Sequence, residues 1–149
     1  MTAEQIIHTL KLTPLPHEGG FYAETYRSAF STAIYYLLTP ESFSALHRIR
    51  HDELFHFYLG DPVEMLQLWP DGAARTVILG SDLASGQRPQ VLVPADVWQG
   101  ARLLPGGAFA LLGTTVAPPF DWSHFELAER QHLLNAYPDH RDAICRLTR

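Results

Sequence analysis

His47, Glu53 and Gln99 are the residues of this sequence whose types and spacing could perform chemistry together. They supply an imidazole, a carboxylate and a carboxamide from the segments HRIRHDELFHFYLG (47–60) and PADVWQG (94–100). A free imidazole has a pKa of about 6.5, so it can take up and release protons near neutral pH. A buried carboxylate needs a partner because an unpaired buried charge is costly. The candidate partners are a metal ion, a neighbouring Arg or His, or a bound ligand.

Strand alternation predicts that several of these side chains converge. Side chains of a strand alternate between its two faces. If His47 points inward, Ile49, two residues later, points inward as well. After the intervening corner, Glu53, Phe55 and Phe57 can face the same interior. We therefore expect one imidazole and one carboxylate among aromatic rings inside a barrel.

The rest of the chain predicts a helix, a run of strands and two further short helices. The first helix covers residues 3–11 and is followed by the turn-forming sequence PLPHEGG. Segments rich in β-branched and aromatic residues then recur at 21–27, 32–38, 44–49, 53–59, 63–69, 74–79, 90–93, 97–103 and 108–116. Helical spacing of apolar residues returns at 123–135 and 138–147. This order is typical of a β-barrel or sandwich with helices covering one end or an outer face.

Length and composition favour one globular domain over residues 1–149. Apolar residues make up 46% and charged residues 18% of the chain, which allows one substantial core. The net charge of -5 and the absence of a dense basic cluster argue against nucleic acid as a partner. No export signal and no apolar run of about 20 residues is present, so we expect a cytoplasmic protein that does not contact membranes.

The segment around His47 resembles the first sequence motif of the cupins. That motif has two histidines one residue apart, then a glutamate, and a glycine seven positions after the glutamate. Glu53 and Gly60 have this spacing, and His47 stands in the place of the first histidine. Ile49 stands where the second histidine is expected.

The second cupin motif is also altered in this chain. Its proline, glycine and histidine correspond here to Pro94, Asp96 and Gln99. A closer resemblance, over almost the whole chain, is to small single-domain cupins of bacteria and fungi with no settled activity. The shared phrases are HEGGFYAETYRS (17–28), STAIYYLL (31–38), SALHRIRHDELFHFYLGDP (44–62), GQRPQ (86–90), VPADVWQGARLL (93–104) and TVAPPFDWSHFELA (115–128). The resemblance implies an all-β fold, a double-stranded β-helix or jelly-roll barrel with an N-terminal helix and short C-terminal helices, often as a homodimer.

Three functions of different classes are compatible with this resemblance. The first is an epimerase- or isomerase-like enzyme in which His47 is the general base, Glu53 orients it, and Tyr35 or a second histidine returns the proton. The second is a metal-dependent enzyme of dioxygenase or hydrolase type, in which His47, Glu53 and Gln99 hold one divalent transition metal. Metal cupins ordinarily use three histidines and a glutamate, so this reduced set should bind more weakly. The third is a non-catalytic module that binds a small polar metabolite, sugar- or nucleotide-like.

The candidate ligand-binding residues are mainly aromatic. Phe55, Phe57 and Trp98 can either fill the core or form stacking walls for a sugar or a nucleobase. Gln99 would orient the ligand. His56 lies an odd number of residues from Glu53, so in an unbroken strand it faces the other way, where it would pack against a second sheet or subunit unless it reaches the ligand.

Overall fold

Two antiparallel β-sheets form the body of the computed structural model, which describes all residues 1–149. The helices are α1 (Ala3–Leu10), α2 (Arg130–Ala136) and α3 (Arg141–Arg146). The strands are β1 (Thr13–Pro14), β2 (Phe21–Arg27), β3 (Thr32–Leu38), β4 (Ser44–Ile49), β5 (Asp52–Gly60), β6 (Val63–Leu68), β7 (Ala74–Leu79), β8 (Gln90–Val93), β9 (Trp98–Leu103), β10 (Ala110–Ala117) and β11 (Phe125–Leu127). The six-stranded sheet has the order β1-β2-β3-β10-β5-β8 and the five-stranded sheet β11-β4-β9-β6-β7.

The all-β prediction with flanking helices is confirmed. From β3 to β6 and again from β7 to β11, each strand passes to the opposite sheet, as in a double-stranded β-helix. Every predicted strand is present, and its ends differ from the expected ones by no more than two residues. The alternation of apolar and polar residues and the turn signals between them were sufficient to locate these strands.

The segment that precedes α2 differs from the prediction. A helix was expected from residue 123, but a short 3-10 turn and β11 occupy this stretch, and α2 begins only at Arg130. The reason is a pairing partner distant in the sequence: Phe125 lies opposite Ile49 and Leu127 opposite His47 on β4. The backbone hydrogen bonds of this stretch are therefore made in the sheet.

The N-terminal helix covers one end of the outer face of the six-stranded sheet. It begins at a capping box in which Thr2 Oγ1 accepts from Gln5 N at 3.2 Å and Gln5 Oε1 accepts from Thr2 N at 2.8 Å. Ile6 packs with Leu37 and Leu111 in a small buried cluster. This contact gives the helix a fixed position on the barrel.

The C-terminal helices cover the outer face of the other sheet. The Glu129 side chain caps α2 by accepting from two backbone N–H groups. Leu133 of α2 and Ile144 of α3 are fully buried against strand residues that include Leu46 and Trp98. These helices thus turn the outer face of the five-stranded sheet into a second core.

Part of the outer face of the six-stranded sheet remains uncovered. Tyr58 and Leu92 are each about half exposed there, beside the partly buried Leu54. A second copy of the chain could cover this face, and the predicted homodimer stays a prediction. None of the helices has the length and apolar character needed to cross a membrane.

Substitution of Gly60 tests why a glycine ends β5. Its φ is 102°, and a Cβ atom would collide with the carbonyl oxygen of Phe109. Gly72 has a similar φ of 89° with open space around it. Both alanine variants carry backbone strain, but only Gly60→Ala adds a steric clash with the backbone. We expect Gly60→Ala to lower the free energy of unfolding by about 2 kcal/mol more than Gly72→Ala in denaturant melts, and equal losses would contradict the steric explanation.

Candidate functional site

A cavity of about 260 Å³ lies between the two sheets. Its buried floor carries Glu18, His47, Glu53 and Thr114. Aromatic rings form one wall, and charged side chains lie towards solvent. The strands β2, β3, β4, β5 and β10 contribute lining residues, together with the turn before β2 and the segment 120–125.

His47 is held in one orientation on this floor. Only 2% of the residue is exposed, and its Nδ1 lies 2.6 Å from the carbonyl oxygen of Ala45. Because a carbonyl oxygen can only accept, Nδ1 carries the proton and donates it. Nε2 then faces Glu18 Oε1 at 3.3 Å, and the Phe125 ring stacks on the imidazole at a centroid distance of 5.3 Å.

Glu18 is a residue of the cavity floor that sequence reasoning missed. It lies in the turn before β2, which enters the barrel through positive φ angles at His17, Gly19 and Gly20. Its Oε2 accepts a hydrogen bond of 2.8 Å from Ser44 Oγ, while its Oε1 faces the imidazole. The available signal was an acidic residue beside two consecutive glycines, a pattern that permits close approach of the backbone to another element.

Glu53 and Gln99 meet across the barrel. Glu53 belongs to β5 of one sheet, and Gln99 lies on β9 of the other, directly opposite His47 of β4. Gln99 Nε2 donates to Glu53 Oε1 at 2.7 Å. The alternation argument correctly placed His47, Ile49 and Glu53 on the interior, where all three line the cavity.

Burial raises the pKa of Glu53, and the negative charge of Glu18 raises it further. The charge of His47 and the hydrogen bond from Gln99 act in the opposite direction. Burial is the larger effect, since a carboxylate loses much of its hydration in such a site. In the folded protein, Glu53 therefore binds its proton more tightly than an exposed glutamate does.

The other proposed site residues lie away from the cavity lining. Phe55 is buried in the core between the sheets, and Phe57 packs against that core. Trp98 packs under the C-terminal helices. Tyr35 lies on the outer side of its sheet, edge-on to Tyr58 and near α1, so the backbone of the six-stranded sheet separates its ring from the interior that holds His47.

His56 occupies the same outer side of the six-stranded sheet. Its Nε2 is 3.3 Å from Thr115 Oγ1, and its ring stacks with Tyr58. This is the side that its odd spacing from Glu53 predicted. Gln99 does not line the cavity and contacts it only through Glu53. The ligand-binding roles of His56 and Gln99 stay predictions.

The aromatic wall of the cavity comes from a different part of the chain. Phe120, Trp122 and Phe125 contact one another edge to face, with centroid distances of 5.1 and 5.0 Å. The Phe120 N–H donates to Thr32 Oγ1 at 3.0 Å, which ties this segment to β3. Phe125 was missed because it was assigned to the helix expected over 123–135, and Phe120 and Trp122 were assigned to no element.

The donor groups of this site do not fit a cupin metal ion. Ile49 replaces one histidine, and Gln99 turns an amide N–H, not its oxygen, towards Glu53. The structure contains no group of three or more His, Cys, Asp or Glu side chains arranged to hold a metal. The reaction steps considered below therefore use only protein groups.

Comparisons with known proteins agree with the barrel architecture. The family model described as "Cupin superfamily (DUF985)" matches residues 4–128. A hypothetical protein from Leishmania major has a TM-score of 0.94 and 31% identity, with 99% of each chain covered. A protein from Shewanella oneidensis has the same TM-score and 35% identity, covering 100% of this chain and 98% of that one.

An uncharacterized protein of Saccharomyces cerevisiae is 28% identical over an alignment of 130 residues that covers 70% of this chain and only 65% of the yeast protein's length. More distant solved structures share the fold alone. A Bacillus subtilis oxalate decarboxylase has a TM-score of 0.63 at 12% identity, covering 93% of this chain and 37% of that one. A dTDP sugar isomerase from Desulfovibrio desulfuricans has a TM-score of 0.58 at 22% identity, covering 79% and 80%.

Glu53→Gln tests the electrostatics of the floor. Because the pKa of Glu53 is raised on folding, its contribution to stability is complete below its ordinary value of 4.5 and is lost as the pH rises through the raised value. The free energy of unfolding of Glu53→Gln, relative to the wild type, should therefore increase from about pH 4 to about pH 8. The relative free energy of unfolding should rise by about 1.4 kcal/mol for each tenfold increase that folding causes in the proton affinity of Glu53. Glu41→Gln, at an exposed position, is the control, and a difference independent of pH would contradict this assignment.

The double substitution Ile49→His with Gln99→His tests the metal assignment. It would complete the set of three histidines and one glutamate that the resemblance predicts for metal cupins. We expect it to bind Co²⁺ roughly 100-fold more tightly than the wild type, since loss of even a supporting group at a metal site costs about 10–100-fold. Visible absorption and calorimetric titration would measure this, with Gln99→His alone as the control. Equally tight binding by the wild type would show that its own donors suffice.

Proposed function

This chain belongs to the cupin superfamily, in the family described as DUF985, and we propose that it binds a small carbohydrate-like metabolite in its cavity and transfers a proton through His47. The observation that carries the proposal is the pairing of His47 with Glu18. Their Nε2 and Oε1 atoms are 3.3 Å apart on the floor of a cavity large enough for a ligand. An imidazole with a carboxylate partner is suited to general acid–base catalysis.

The size and lining of the cavity support a ligand of about monosaccharide size. Its volume of about 260 Å³ is below the range of about 300–1,000 Å³ typical of drug-sized ligands. Carboxyl and hydroxyl groups on the floor can bind sugar hydroxyls, while the rings of Phe120, Trp122 and Phe125 offer apolar faces. A nucleotide sugar is much larger than this space, so we favour a carbohydrate over a nucleotide.

The proton chemistry starts from the fixed tautomer of His47. Because Nδ1 donates to Ala45, Nε2 is the nitrogen that can exchange a proton with the ligand. When the imidazole is neutral and a substrate carbon replaces the Glu18 contact at Nε2, its lone pair can remove a proton from that carbon next to a carbonyl group. Glu18 stabilises the imidazolium that forms. A protonated Glu53 can donate a hydrogen bond to the substrate oxygen as negative charge develops there.

The return of the proton requires a second group near the substrate. The sequence suggests Tyr35, which lies outside the cavity lining, whereas the phenol of Tyr22 is part of it. Either Tyr22 or the imidazolium of His47 can supply the proton on this proposal. Return by His47 to the neighbouring carbonyl carbon, on the same face of the enediol, gives isomerisation when a proton also moves between the two enediol oxygens through the Glu53 carboxyl group. Delivery by Tyr22 to the opposite face of the original carbon gives epimerisation.

Solvent exchange on bound sugars tests this proposal across a panel of candidate substrates. Unphosphorylated aldoses, ketoses and amino sugars would first be screened by thermal shift, since a ligand at 100 times its Kd stabilises by about 2.7 kcal/mol. Compounds that bind would then be incubated with the protein in D₂O and followed by NMR. We expect deuterium at the carbon next to the carbonyl, and His47→Gln to slow its incorporation by about 10²–10⁴-fold.

His132→Gln, on the exposed surface of α2, is the matched control and should leave the exchange rate unchanged. Both variants should still unfold in one cooperative transition above the temperature of the exchange experiment, which shows that they are folded during it. Exchange that persists in His47→Gln would refute the role of His47. Binding without any exchange would support the non-catalytic binding module instead.

A further inference from the structure

The charges around the cavity indicate which metabolites it accepts. Resting on the proposed function, we propose that the ligand is a small hydroxylated amine and that anionic metabolites are rejected. Four carboxyl side chains line the cavity, those of Glu18, Glu24, Glu53 and Asp121, against the single guanidinium of Arg27. Even with Glu53 protonated, the three other carboxyl groups outnumber the single guanidinium. The imidazole of His47 is already paired with Glu18.

Arg27 is not available to bind an anion. Its Nε and Nη2 donate to the two carboxylate oxygens of Glu24 at 2.8 and 2.9 Å, and Nη2 also donates to the Phe120 carbonyl at 3.2 Å. Residues three apart face opposite sides of a regular strand, but an irregularity between Glu24 and Tyr26 brings this pair together. A phosphate or carboxylate ligand that bound the Nε–Nη2 edge of Arg27 would have to displace the bidentate carboxylate of Glu24.

The cavity floor is also unfavourable for an anion. Glu18 and Glu53 share it with one imidazole, and only Glu18 is paired with that imidazole. The charge of Glu18 opposes ionisation of Glu53, which shows that the two carboxyl groups interact unfavourably. A third negative group would add to this repulsion, whereas a cation would relieve it.

The wall nearest to solvent adds a specific preference for an ammonium group. In the sequence Asp121 lies between two residues of the aromatic wall, Phe120 and Trp122. It lines the cavity together with them. Hydrogen bonds from Ser123 lower the pKa of Asp121, so it stays ionised. An ammonium group placed here gains a carboxylate partner and lies beside an indole, the ring that binds cations best.

Matched sugar derivatives distinguish this inference from the proposed function. On the glucose, galactose and mannose skeletons, affinities of the 2-amino sugar, the parent sugar, the uronate and the 6-phosphate would be measured by titration calorimetry. Chemical-shift changes at the Trp122 indole would confirm binding in the cavity. We expect each amino sugar that binds to do so at least about tenfold more tightly than its parent, and each anion at least about tenfold more weakly.

Two variants test the assigned charges. Asp121→Asn should remove most of the amine's advantage, and Glu24→Gln should release Arg27 and strengthen binding of the uronate or phosphate. Glu41→Gln, outside the cavity, should change neither affinity.

Wild-type protein that binds an anion in the cavity more tightly than the matched amine would overturn this inference and leave the proposed function standing. Equal binding of amine and parent would overturn the amine preference, and failure of every sugar to bind would overturn both proposals.

Discussion

The hydrogen bond from Gln99 Nε2 to Glu53 Oε1 is the constraint on which the interior of this barrel depends. It joins the two sheets through side chains that are almost completely buried, 1% exposed for Gln99 and 8% for Glu53. A buried carboxyl group without a partner would be strongly destabilising. In cupins with a metal the ion can satisfy this glutamate, whereas here a carboxamide on the opposite sheet does so.

Gln99, which stands where metal cupins have a histidine ligand, also affects the other residues of the cavity floor. Gln99 fixes Glu53 and leaves His47 free of any shared metal, so the imidazole pairs with Glu18 instead. Because Ala45 holds Nδ1, the reactive nitrogen of His47 is determined by backbone geometry. An acid–base pair and a second carboxyl group with a raised pKa thus occupy one small space, an arrangement frequent at functional sites.

The parts of the structure predicted correctly from the sequence are those that depend on local patterns. Period-two alternation gave the strands and the inward side of His47 and Glu53, because both follow from neighbouring residues alone. Glu18 was missed because its position depends on a turn that brings the chain into a distant barrel. Trp98 was ambiguous for a related reason: alternation separates two faces of a strand, but the C-terminal helices make the outer face of that sheet a core as well.

The segment 120–125 shows the same limit. From residue 123 onward the apolar spacing is compatible with a helix, and only the edge of β4, reached through the pairing of Phe125 with Ile49, selects a strand over Phe125–Leu127. The aromatic wall is therefore a product of tertiary structure overriding local preference. No pattern within the segment alone could show that its rings close over an imidazole some seventy residues earlier in the chain.

The floor of the cavity and its rim are built by different kinds of element. His47 and Glu53 belong to central barrel strands, whose replacement would disturb the core, whereas Asp121 and Trp122 lie in an exposed connection. Surface connections accept substitutions and insertions far more readily than the scaffold that supports them. Descendants of such a barrel can therefore exchange the short stretch that carries Asp121 and Trp122, and so change the surface that a ligand meets first, while inheriting the floor around His47 and Glu53 intact.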